Sequence, residues 1–274
     1  MFNAPTGHLS IKYGLRGPSQ MIVTACASSA HALGQAFEFI RRGQADAFLA
    51  GGTETFPPRA LMAAWDTLRV MSTANDRPEA ASRPFSADRD GFVMGEAAAV
   101  LVLESEERAK ARGARIYAEI TGVGLSSDAH HITQPQTDGL ELAMRNALAD
   151  AQLQPEDVDY INAHGTATPI NDPLETAAIK SVFGDHARRL AVSSTKSAHG
   201  HTIGAAGALE TVATVLGMHH GFLPATLNLH EPDPECDLDY VPLEPRAASF
   251  DVALSNSFAF GGHNVTLAFR LYRG

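Results

Sequence analysis

The run Met21-Ile22-Val23-Thr24 is apolar and β-branched, and at Ala25-Cys26 it gives way to small residues with helical spacing. A strand that passes directly into a helix is predicted there. The helix should run from 26 to about 42, where Arg41-Arg42-Gly43 supplies a stop. That puts Cys26 at a helix N-terminus, where unpaired backbone N–H groups and the positive dipole end favour a thiolate. A low thiol pKa is therefore expected. Free cysteines are more often buried and inert, so position alone does not make Cys26 a nucleophile.

Strand and helix patterns alternate along the rest of the chain. Residues 1–18 carry Gly7, Gly14, Gly17 and Pro18 and read as an approach segment without strong structure. A short strand at 47–50 runs into Gly51-Gly52. Residues 53–90 are rich in Pro, Ser, Asp and Arg, with one helical patch at 60–67, and a segment this long and irregular usually covers a site. The apolar run 97–103 reads as a fully buried strand and 104–112 as a charged helical turn or two. Later strands are expected at 116–124, 158–162, 190–192, 252–258 and 265–271. Helices are expected at 139–151, at 173–182 with Asn171 or Asp172 as cap, and at 203–219. Such alternation implies α/β layers around a mostly parallel sheet.

The two parts, 1–112 and 113–274, echo each other. The second has two βα units ahead of its matching helix and the first has none ahead of Cys26, so the first half is expected to be incomplete, lacking an N-terminal portion. With 274 residues, 45% hydrophobic and 19% charged, the chain builds cores and is not disordered. Two cysteines, Cys26 and Cys236, argue against a disulfide framework and fit a reducing compartment. No secretory signal is visible at 1–10, and no apolar run reaches membrane-spanning length. A cytoplasmic protein without a membrane part is expected. The net charge of −10 makes nucleic acid a poor general partner.

Four small-residue turns carry reactive groups. Cys26 is the first. The second is NAHGTATP, just after a strand, with His164 where open α/β sheets place ligands. The third, SSTK, brings Lys196 among apolar and small residues, where a lysine is held inside and paired. The fourth, GHTIGAAG, starts a helix at His201, with His199 as an accessory. A thiol, two imidazoles and a cation can stabilise an oxyanion or enolate. His199 and His201 lack the third ligand and spacing of a zinc site; no dinucleotide-binding GxGxxG and no GxSxG elbow is present.

TACASSAH, NAHGTATP, SSTKSAHGHTIGAAGALE and NSFAFGGHN together resemble the signature set of the β-ketoacyl-acyl-carrier-protein synthases, from about Gly7 to the C-terminus. The Cys-His-His set resembles the synthase I/II branch, and GFVMGEAAAVLVLE and AEITGVGLSSDAHHIT look most like synthase II. The resemblance implies a thiolase-like, layered α-β-α-β-α fold with two pseudo-repeated halves. It implies that Cys26 accepts an acyl chain from acyl carrier protein. Decarboxylation of a malonyl thioester would follow, with His164 and His201 on the enolate and Lys196, paired with Glu210, orienting the site. It further implies an oxyanion hole from the backbone N–H groups of Cys26 and Phe260, with Phe260 as a gate. Thr166 and Thr168 would hold the phosphopantetheine arm, Phe258 would touch substrate, and Arg69 would dock the carrier. No metal or resident cofactor is implied, since the arm arrives on the carrier, and a homodimer is. Ala198-His199 and His263 depart from the family's commoner residues and would add imidazoles near the site.

Two other readings stay open: a non-catalytic partner subunit like the chain-length factors, which lose the nucleophile, and a polyketide-type ketosynthase fragment. Thiolytic degradation would need a second catalytic cysteine, and Cys236 lies outside any suitable glycine-rich turn.

Overall fold

A computed structural model describes residues 1–55 and 59–274. In chain order the helices are α1 (Ala4–Tyr13), α2 (Ser28–Arg41), α3 (Arg59–Thr67), α4 (Glu106–Ala111), α5 (Thr137–Asp150), α6 (Asn171–Phe183), α7 (Lys196–His199) and α8 (Ala206–His220). The strands are β1 (Ala47–Glu54), β2 (Ala97–Glu104), β3 (Ala118–Ser127), β4 (Tyr160–Asn162), β5 (Ala191–Ser193), β6 (Phe222–Leu223), β7 (Arg246–Ala247), β8 (Val252–Ala259) and β9 (His263–Leu271). The short pair β6–β7 stands apart.

The main sheet has five strands in the order β3-β9-β8-β4-β5. Only β8–β4 and β4–β5 are parallel; β3–β9 and β9–β8 are antiparallel. The expected mostly parallel sheet is thus a mixed one. The turn at Gly261-Gly262 folds β9 straight back on β8, a connection too short for a parallel crossover. β8 is buried along nearly its whole length and β4 and β5 entirely, as strands covered on both faces are. One core gathers Leu140, Met144, Ile161, Ile179 and Leu254 between the sheet, α5 and α6. The other gathers Ala27, Ala30, Leu33, Ala208 and Leu267 where α2 and α8 meet the opposite face. Gly207 lets the two helices touch, since a Cβ there would lie 2.7 Å from that of Ala30.

The remaining two-stranded sheet pairs β1 with β2 antiparallel, Ala47 opposite Glu104 and Glu54 opposite Ala97. Its strand at 97–104 was expected to be fully buried. It is not: Val100 is 54% and Val102 61% exposed, because alternate residues of a two-stranded ribbon covered on one face must point outward. Two more expectations fail locally. Residues 4–13 form a helix, started by Pro5 in its first turn and closed by Gly14 in the left-handed region. The run 21–24 forms no strand. β-Branched residues favour a ladder only where a partner strand exists; none of the described strands pairs with this run, and Val23 is left 69% exposed.

Candidate active site

Each reactive side chain sits where a short strand or loop becomes helical. Cys26 lies in a single 3-10 turn, Ala25–Ala27, that runs into α2. Ala25 is held at φ 48°, a strained value for a residue with a Cβ, and Ser28 braces it by donating to the Ala25 carbonyl at 2.7 Å. His164 follows β4. Its backbone N–H and that of Gly165 both donate to the Glu175 carboxyl of α6, at 2.8 Å each. Lys196 opens α7 just after β5. His201 is pinned by its main chain: its N–H donates to Val93 O at 2.6 Å and its carbonyl accepts from Gly95 N at 3.0 Å.

These segments converge. Cys26 Sγ is 3.0 Å from His201 Nε2, and the His164 and His201 rings meet edge to face at 5.5 Å. Lys196 Nζ donates to the His164 carbonyl at 2.5 Å, lies 3.3 Å from His164 Nδ1 and is paired with Glu210. An ammonium has donors only, so His164 Nδ1 must accept, and the hydrogen-bond network thereby assigns the ring proton to Nε2, facing away from the lysine. Burial, reinforced by Lys196, holds both imidazoles well below the ordinary histidine pKa, so both rest neutral. Burial raises the Glu210 carboxyl, and the touching ammonium pulls it back.

The expected low thiol pKa is corrected here. Burial pushes Cys26 up to about 12, outweighing the pull of Lys196. The helix-start argument is local, whereas desolvation comes from the packing of α2 against α8 and β8. A protonated thiol beside a neutral imidazole makes Sγ the donor and Nε2 the acceptor. His201 Nδ1, buried, has no hydrogen-bond partner among the described residues.

A cavity of about 210 Å³ leads from the surface to this group. Cys26, His164, His201, Phe258, Phe260, Thr166 and Thr168 line it, and Arg69 does so at an exposed position. Thr166 and Thr168 share a hydrogen bond at 3.0 Å, and Thr168 also accepts from the first N–H of α6, at Asn171; the cap position is Ile170, so Asn171 and Asp172, expected there, lie inside the helix. His199 does not line the cavity. It bonds Gly200 O at 2.8 Å and Thr195 Oγ1 at 3.2 Å, and burial lowers it to about 4. His263, expected near the site, is exposed and packs on His31. Among the described residues no group of three His, Cys, Asp or Glu side chains could hold a metal ion.

The sequence reading missed four contributors. Trp65 and Phe92 line the cavity. Glu175 fixes the His164 turn. Asp128 accepts from Asn264 Nδ2 at 2.6 Å and from Gln136 N at 3.1 Å, while its own N–H donates to Gly262 O, tying two loops at the cavity mouth. Phe92, inside GFVMGEAAAVLVLE, and Asp128, inside AEITGVGLSSDAHHIT, lie in motifs noted above; Trp65 and Glu175 do not.

The layered architecture is that of the thiolase-like ketosynthases. The solved β-ketoacyl synthase from Burkholderia phymatum STM815 superposes with a TM-score of 0.95 at 45% identity, over 99% of this chain and 66% of that one. Residues 1–109 match the N-terminal domain of β-ketoacyl synthases and residues 117–230 the C-terminal domain. The chain belongs to the β-ketoacyl synthase family. It is 53% identical over 269 residues to 3-oxoacyl-[acyl-carrier-protein] synthase 2 of Coxiella burnetii, covering 97% of this chain and 65% of that protein. It is 52% identical to nodulation protein E of Rhizobium leguminosarum bv. trifolii, covering 98% and 66%. A structure described as AntDE:AntF, a type II PKS acyl-carrier protein in complex with its ketosynthase bound to the hexaketide, matches with a TM-score of 0.96 at 38% identity, over 99% and 67%. The chain thus spans about two thirds of the length of the relatives it matches.

Proposed function

We propose that this chain is a 3-oxoacyl-acyl-carrier-protein synthase, a condensing acyltransferase of fatty acid elongation. The observation that carries the reading is the Cys26–His201 contact at 3.0 Å, beside a His164 whose tautomer Lys196 fixes. Cys26 Sγ attacks the thioester carbonyl of an acyl chain. Its proton passes to His201 Nε2 and from there to the departing thiolate of the carrier's phosphopantetheine arm. The bound acyl group then meets a malonyl thioester, whose carboxylate leaves as CO₂. Its electron pair becomes an enolate, stabilised by His164 Nε2–H and by His201, which donates from Nε2 once its ring proton has moved there from the unpartnered Nδ1. The carbanion carbon attacks the acyl carbonyl, and Cys26 leaves as thiolate and regains a proton from solvent.

Backbone N–H groups of Cys26 and Phe260 serve as the oxyanion hole, and Phe260 and Phe258 contact the acyl group. Thr166 and Thr168 receive the arm, which is the only prosthetic group used and comes with the acyl carrier protein. Arg69 docks that acidic carrier. The two halves, 1–112 and 113–274, act as paired thiolase-like units, and a second copy of the chain completes a homodimer. Among the described residues no helix is long and apolar enough to cross a membrane, and two unpaired thiols suit the reducing cytoplasm. The retained Cys26, His164, Lys196 and His201 speak against a non-catalytic subunit.

The test is intact-mass measurement after incubation with an acyl-carrier thioester. One acyl adduct is expected, absent in Cys26→Ala. His164→Ala should take the acyl group yet release no CO₂ from malonyl-carrier. An adduct on Cys26→Ala, or normal condensation by His164→Ala, overturns the mechanism.

A further inference from the structure

Helix α3 buries none of its residues, yet one of its side chains reaches the cavity. Trp65, the sole tryptophan of the sequence, stacks on Phe260 with ring centroids 6.3 Å apart and planes 23° from parallel. It also meets Phe92 edge to face at 5.9 Å, and Phe92 meets His201 edge to face at 5.2 Å. These rings all line the cavity that ends at Cys26. Behind Phe260, Gly261 and Gly262 hold φ values of 87° and 71°, a region glycine enters freely. The backbone after Phe260 can therefore re-aim the ring, and among the described residues Trp65 is stacked on it within the cavity.

We propose that Trp65 is a positioning residue that sets which acyl chains open Phe260. It holds the Phe260 ring across the cavity while Cys26 is free, and α3 moves with that ring when a chain enters. This rests on the reading of Phe260 as gate and Cys26 as acyl acceptor. An aromatic pair biases an equilibrium by a few-fold to about tenfold. An entering chain is driven by burial of its methylenes, and the drive grows with its length. A short chain gains less than the stack loses, so Trp65 sets a lower limit on the acyl length that displaces the gate.

The experiment uses the Cys236→Ser chain, in which Cys26 is the only thiol. Alkylation of Cys26 by iodoacetamide and by a long-chain N-alkyl iodoacetamide is followed at alkaline pH by intact mass. Trp65→Ala should speed the long-chain reaction roughly three- to tenfold relative to the small one, the bias one aromatic pair supplies. Trp65→Phe, which keeps a ring on Phe260, should restore the original ratio. Without any change at Trp65, the long-chain adduct should shift tryptophan emission to the red and increase its quenching by iodide, and the small adduct should leave both alone. An unchanged ratio in Trp65→Ala, identical emission from the two adducts, or no alkylation of Cys26 by either reagent overturns the proposal. Alkylation behaving as described while carrier thioesters fail to load Cys26 would instead overturn the proposed activity and leave the Trp65 coupling standing.

Discussion

At the scale of single residues, the site is built from groups kept neutral against their surroundings. Burial raises Cys26 to about 12, above its ordinary 9.0. The folded state therefore favours the protonated thiol, and the stability this contributes is present below pH 9 and lost as pH climbs toward 12. His199 is the reverse case, lowered to about 4 from 6.5. Its contribution is present above pH 6.5 and lost as pH falls toward 4. Thermal unfolding midpoints of the parent chain, His199→Gln and Cys26→Ser across these two windows check both signs. The glutamine variant should lose less stability between pH 6.5 and 4, and the serine variant less above 9. Identical profiles would mean that neither group is buried as described. The residues themselves were legible beforehand: Cys26, His164, Lys196 and His201 each stand in a turn of small residues. The protonation of the thiol and the two imidazoles was not, because a helix start is read from neighbours in sequence, whereas desolvation depends on what packs from far along the chain.

At the scale of elements, the small-residue spacing of GAAG becomes a contact. Gly207 of α8 lies against Ala30 of α2, where an added Cβ would fall 2.7 Å from one side-chain carbon and 2.8 Å from a backbone nitrogen. The two helices carry the turns bearing His201 and Cys26, so this crossing sets the distance between them. Gly207→Val should overpack it at a cost of about 1–3 kcal/mol and lower the melting temperature by roughly 3–10 °C. Calorimetry checks the loss; an unchanged melting temperature would show that the helices can part freely. Helix positions were largely readable from apolar spacing, within a few residues at 137–150, 171–183 and 206–220. Strand direction was not, since alternation is the same in parallel and antiparallel ladders. Nor was the fate of residues 21–24, whose β-branched side chains announce a strand but cannot supply the neighbour it pairs with.

At the scale of the whole molecule, apolar side chains remain outside. Val100 and Val102 project from β2, and Met21, Val23 and Leu125 are 42%, 69% and 49% exposed. Where such side chains join into one patch they mark contact with other protein, and they are the candidates for the face that a second copy covers in the proposed homodimer. The chain should therefore associate at micromolar concentration, and sedimentation velocity of the parent beside Val100→Lys/Val102→Glu should show the variant shifted toward monomer. A monomeric parent would count against the proposed homodimer. One more property belongs to the molecule as a unit. Cys26 and His201 are 175 positions apart, and the Ser29–Ala208 bond spans 179. During synthesis, which proceeds from the N-terminus at about 5–20 residues per second, the thiol is made 175 residues before its imidazole and waits for it. A chain interrupted before residue 201 lacks the imidazole that takes the Cys26 proton in the proposed reaction. The proposed acyl transfer would thus double as an assay for finished folding, because long-range closure and the Cys26–His201 contact arrive in the same event.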